Sequence, residues 1–195
     1  MLFHVFLRKA ALRPVPSWAI VDEVALDGLE VYLGDEDENL QAALDSGYHE
    51  MDRRQPQLAE WLASQVSSRS DELAQSVGYF LVVTVYLAFR EAFPTRLDAV
   101  DEASLALALA TLEVDEELRA SDPTEVFESD DVVAMGQPAL VSYVQHHFDE
   151  ALAQAQGSPD LEAFDVVYRG ILVEIIALSH AVRAPEGRTQ APILA

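Results

Sequence analysis

GYFLVVTVYLAFREAF, residues 78–93, is the stretch whose reading decides the fold. Between Gly78 and Phe89 its only side chain that must hydrogen-bond, tyrosine hydroxyls apart, is Thr84, so as a helix it is apolar on every face. Such a helix belongs inside a protein. ILVEIIALSHAV, residues 171–182, has the same character. The two stretches predict a pair of central apolar helices wrapped by amphipathic ones.

Composition sets the limits around that core. At 195 residues and half apolar, the chain can bury a sizeable core. The longest apolar runs stop at about a dozen residues, short of the roughly 20 that cross a bilayer, so a soluble chain that enters no membrane is expected. The opening MLFHVFLRKAAL puts its basic residues after the apolar run, the wrong order for a secretory signal, and the expected location is cytoplasmic. With no cysteine there is no disulfide, thiol nucleophile or cysteine-ligated metal. A net charge of -22 disfavours nucleic acid, whose phosphates are bound through Lys and Arg. The charge is localised: residues 14–52 hold 11 acids and no Lys or Arg, and residues 98–131 hold 12 acids against Arg119 alone.

The acidic blocks share a pattern. Val21-Asp22-Glu23 with Leu26 recurs as Val100-Asp101-Glu102 with Leu105, and Leu33 recurs as Leu112. Asp37-Glu38-x-Leu40 returns as Asp115-Glu116-x-Leu118. Gln55-Pro56-x-Leu58-x-x-Trp61-Leu62 returns as Gln137-Pro138-x-Leu140-x-x-Tyr143-Val144, and an apolar helix follows each time. The order predicts an all-α helical bundle, a tandem duplication of a unit of about 80 residues packed around two central apolar helices. The units span 14–97 and 98–185, after an N-terminal apolar segment at 1–13 and before a flexible tail at 186–195.

Helix boundaries follow from local chemistry. Residues 105, 108, 109 and 112 give an amphipathic helix in the second unit. In the first, Ile20, Val21, Val24, Ala25, Leu29, Tyr32 and Leu33 fit a helix, although Asp27-Gly28 is also a hairpin signal. The repeat favours the helix. Each Gln-Pro opens a helix, because proline suits the first turn, predicting helices over 56–66 and 138–156 with Trp61 and Tyr143 as anchors. Ser68 or Ser70 is the expected cap of the first core helix. Ser158-Pro159 is expected to start the last, whose stripe runs from Leu161 through Phe164, Val167 and Ile171 to Val182.

No side-chain constellation is diagnostic of catalysis. Glu113-x-x-Glu116 and Glu128-x-x-Asp131 are carboxylate pairs at helical spacing, able to hold Mg²⁺ on a triphosphate. That spacing resembles the all-helical nucleoside triphosphate pyrophosphohydrolases of the MazG and dUTPase type, over about 20 residues. The resemblance implies Glu113, Glu116, Glu128 and Asp131 as Mg²⁺ ligands; the family also needs basic groups for phosphate, and only Arg119 is near. Otherwise no metal or cofactor is expected. His146, His147 and Glu150 supply two ligands without a third and read as a surface group. Glu174 and His180, inside a core helix, read as satisfied core groups, or with Glu174 at the stripe's edge; the functional alternative is a buried acid or base with a shifted pKa.

The leading expectation is a non-enzymatic interaction protein, a regulator, adaptor or neutralising partner, that presents Asp35, Glu36, Asp37, Glu38, Asp115, Glu116 and Glu117 to a basic protein. The alternatives are the Mg²⁺-dependent hydrolase and a self-assembling structural protein. In the last, Met1–Leu12 would contact a second subunit, as in a homodimer.

Overall fold

The computed structural model describes residues 15–33, 37–67, 71–121, 133–134, 136–155 and 158–186. Seven helices account for most of them: α1 Glu23–Leu33, α2 Asp37–Arg54, α3 Pro56–Ser67, α4 Glu72–Ala92, α5 Glu102–Ser121, α6 Pro138–Gln154 and α7 Leu161–Ala181. No strand occurs among the described residues, only an isolated antiparallel bridge between Leu97 and Val182. The chain is an all-α bundle.

α4 and α7 are the two apolar stretches, and they form its axis. Leu81 to Phe89 are buried without a break, as are Gly170 to Ser179. The two helices run side by side in one direction: Asp160 N at the start of α7 donates to Asp71 Oδ2 at the start of α4, 3.2 Å, while Leu97 and Val182 pair just beyond their far ends. A Cβ at Gly78 would lie 2.7 Å from Val167 Cγ1, so the close approach of the helices depends on glycine there. By length and composition α4 alone among the described helices could cross a membrane, and 61% of its most apolar window is buried inside the bundle.

The outer helices pack on this axis in a crossed manner. α1 and α2 lie on α4, and α5 lies on α7; α3, from the first half, also reaches α7, and α6, from the second, reaches α4. Backbone contacts cross in matched pairs. Asp98 N donates to Ala181 O and Arg183 N to Arg96 O.

Several helix ends differ from expectation. α4 is capped by Asp71, whose carboxylate accepts from Ala74 N, and α7 by Asp160, which accepts from Glu162 N and Ala163 N. The carboxylate outcompetes the neighbouring serines because it adds negative charge at the positive end of the helix dipole. Ser68 and Ser70 lie outside the described residues. α1 is the expected helix with Gly28 inside it, but it starts at Glu23 and buries Ala25, Leu26, Leu29 and Leu33. Ile20, Val24 and Tyr32, expected on its buried side, are exposed, because a face 100° wide holds one stripe and theirs is the other. Leu161 is 66% exposed, at the frayed first turn of α7.

Candidate functional site

The outer face of α1 carries the largest exposed apolar feature among the described residues. Ile20, Val24, Val31 and Tyr32 are 44%, 75%, 85% and 45% exposed. At 100° per residue, Val24 and Val31 point within about 20° of one another, with Gly28 as a notch between them. Glu23, Asp27 and Glu30, all exposed, line one margin. On the other, Glu91 of α4 comes within 3.9 Å of where a methyl on Gly28 would stand. A cleft of about 270 Å³ opens at the start of the stripe, between Ile20 and Val24 on one side and Glu91 and Phe93 on the other.

Nothing on α1 offsets these acids. The helix has no Lys or Arg, and nearby cations are engaged elsewhere. Arg90 reaches Glu50 at 2.8 Å and lies over the Tyr32 ring at 5.2 Å; Arg54 also pairs with Glu50, and Arg183 with Asp98. The matching positions ahead of and along α5 are Ala99, Ala103, Ala110 and Thr111, small residues where the first half has large apolar ones. The stripe is therefore a property of one half.

Of the residues singled out in the sequence, Asp37 and Glu38 open α2, and Asp115, Glu116 and Glu117 fall in the second half of α5, with their side chains outside the described part. Asp35, Glu36, Glu128 and Asp131 lie wholly outside the described residues. Glu113 is exposed on α5. Of the four carboxylates of the hydrolase reading only the Glu113 side chain is thus described, and among the described residues no group of three or more His, Asp or Glu is placed to hold a metal ion.

The histidine group is largely a surface one. His146 Nε2 and His147 Nδ1 approach the same Glu150 oxygen at 3.7 and 3.8 Å, and His146 and Glu150 are exposed. His147 is half-buried between the rings of Phe80 and Tyr143, and burial, with His146 adding to it, pushes its pKa down. A neutral imidazole between two rings is a packing element.

Glu174 departs from both structural expectations for it and matches the alternative of a buried acid with a shifted pKa. It is fully buried, away from any stripe edge, and neither carboxyl oxygen meets a hydrogen-bond partner among the described residues. Burial raises its pKa well above the carboxylate range, so the proton stays on. His180, half-buried near the end of α7, is engaged in contacts.

The glutamines do more than the sequence reading assigned to them. Gln137 is fully buried; its amide donates to Ala19 O at 2.5 Å and Ser179 Oγ at 2.9 Å, and its carbonyl accepts from Val21 N at 2.9 Å. Gln55 does the same in the opposite direction, donating to Asp98 O at 2.9 Å and accepting from Val100 N at 2.7 Å. Each glutamine clamps the lead-in to the other half's first helix. The repeated Gln-Pro was the available signal, but helix initiation explained only its proline.

A second cleft, of about 590 Å³, lies between the starts of α4 and α7, lined by Asp71, Glu72, Ser76, Gln154 and Ser158. The capping carboxylates Asp71 and Asp160 already accept from the first-turn N–H groups there, which leaves little for an outside anion. Compared with protein-family models, with curated proteins and with solved structures, the chain matches none.

Proposed function

We propose that the chain is a non-enzymatic interaction protein that offers acidic surfaces to a basic protein partner as a regulator, adaptor or neutralising subunit. The observation that carries this reading is the uncompensated charge of α1, whose exposed Glu23, Asp27 and Glu30 have no cation on their own helix while Arg54, Arg90 and Arg183 are paired elsewhere. Like charges held together on a small fold repel, and a cationic partner relieves that repulsion and is drawn in faster at low salt. Asp35–Glu38 extend the same run of charge towards α2, and Asp115–Glu117 form its counterpart on α5. A cytoplasmic setting and a scaffold duplicated over 14–97 and 98–185 belong to the reading. The matched contacts of Gln55 with Asp98 and Val100, and of Gln137 with Ala19 and Val21, support the duplication.

The test is capture of partners by the tagged chain, eluted in rising salt. A stoichiometric basic protein is expected to leave at moderate salt. Neutralising Asp35, Glu36, Asp37 and Glu38 together should weaken its binding at least tenfold and flatten the salt dependence. No basic partner, or unchanged affinity in the neutralised chain, overturns the proposal.

A further inference from the structure

The apolar face of α1 lacks an occupant among the described residues, and its chemistry is specific. Of the five large apolar side chains exposed among those residues, four, Ile20, Val24, Val31 and Tyr32, lie on this face. Scattered apolar residues need no explanation, but a continuous strip edged with charge marks a contact surface. One margin is acidic, with Glu23, Asp27 and Glu30; on the other stand Glu91 and Arg90, the latter over the Tyr32 ring and paired with Glu50. An occupant must therefore be apolar along one side, cationic, and about as long as α1, whose 11 residues span about 16 Å.

We propose that this occupant is the chain's own residues 1–12, laid along α1. Leu2, Phe3, Phe6, Leu7 and Ala10 recur at helical spacing, and twelve residues as a helix span about 18 Å, close to the length of α1. Arg8 and Lys9, with Arg13 just beyond, give the segment a positive charge with no acid, in a chain that holds 34 acids against 12 cations. The cations meet the acidic margin while the aromatic side covers the valines.

The connection suits this placement. The strand leading into α1 is fixed by Trp18 Nε1 donating to Val182 O at 3.1 Å and by the grip of Gln137 on Ala19 and Val21. Leu12 is eight residues from Ile20, at most about 28 Å when extended, so the segment begins within reach of the strip. The second half supplies an internal comparison. Nine residues join α5 to α4, which is itself packed in the core, and there the matching positions are Ala99, Ala103, Ala110 and Thr111. Of these two helices, only α1, which has an apolar cationic segment ahead of it, carries large exposed apolar residues among those described. The inference concerns the isolated chain, in which the segment occupies the acids of α1; a basic partner would then displace it or dock on Asp35–Glu38 and Asp115–Glu117.

The absence of cysteine allows a clean test. Phe6→Cys is combined with Gly28→Cys at the middle of the strip, and separately with Glu113→Cys on exposed α5 as a control, and each is treated in dilute solution with a short bismaleimide. The first pair is expected to crosslink within the monomer at least tenfold faster than the control. Equal rates overturn the proposal, and covalent dimers as the main product assign the strip to a second copy instead. Trypsin gives a second readout on the unsubstituted chain. Cleavage after Arg8 and Lys9 should accelerate about tenfold in Val31→Asp, a change at an 85% exposed position that leaves the fold intact; an unchanged rate also overturns the docking.

Discussion

Glu174 occupies the second half of α7 with both carboxyl oxygens shut off from solvent and without a hydrogen-bond partner among the described residues. The folded protein keeps its proton at a pH where the unfolded chain, with a carboxylate of ordinary pKa near 4.3, has lost it. Between those two pKa values the native state binds more protons, so stability falls as pH rises, by up to about 1.4 kcal/mol per pH unit. Asp71, held low chiefly by the N–H of Ala74, and Asp101, held low chiefly by Ser104, act oppositely and lose their contribution as pH falls. The clean quantity is therefore the difference between parent and Glu174→Gln in urea unfolding at several pH values. That difference should grow in favour of the variant above about pH 4.5, and parallel pH profiles would refute the assignment. The sequence displayed this residue as a charge within an apolar helix; its lack of a partner depends on what other helices present, which no local pattern encodes.

Among the elements, the two central helices were the most legible, because unbroken apolar runs such as Leu81–Phe89 admit no other place than the interior. How closely they approach one another was not legible. Gly78 on α4 meets Val167 at a distance that leaves no room for a methyl, whereas a methyl at Gly170 on α7 would find its nearest neighbour, Gln65 Cβ, at 3.7 Å. The same substitution should then have opposite effects. Gly78→Ala overpacks the contact and should destabilise by about 1–3 kcal/mol, while Gly170→Ala should stabilise by up to about 1 kcal/mol through helix propensity. Thermal and urea unfolding of the two variants decide it, and a shift of the same sign in both would show that the central pair does not meet at Gly78. Which stripe of α1 meets the core was not legible for a related reason: apolar residues stand on two sides of that helix, and periodicity does not choose between them.

Across the whole molecule, the halves are joined by contacts that each makes only with the other. Gln137→Ala would leave Val21 N, Ala19 O and Ser179 Oγ without their partner and should cost about 3 kcal/mol; Gln55→Ala, with two bonds lost, should cost about 2 kcal/mol. In both variants far-UV circular dichroism and tryptophan fluorescence should report one shared transition at lower denaturant. Separate transitions for the two signals would mean that the halves stand independently. The candidate surface was legible as charge and only partly as place: the acidic blocks are plain in the sequence, whereas the apolar strip between their carboxylates emerged only once α1 had been given an inside and an outside.

The clamps on the start of the chain have a consequence for the order of events during synthesis. Ala19 and Val21 are fastened by a side chain 116 to 118 residues downstream, and Trp18 by a carbonyl 164 residues away. Residues 18–21 therefore wait for residues 137–182 to be made before their places exist. Contacts so distant along the chain slow closure and lengthen the interval in which α4, greasy on every side, is without its companion α7. The acids of residues 14–52, made before α4 and carrying no basic residue among them, charge the unfinished chain through that interval. Mutual repulsion between nascent copies then keeps them apart until the final helix arrives.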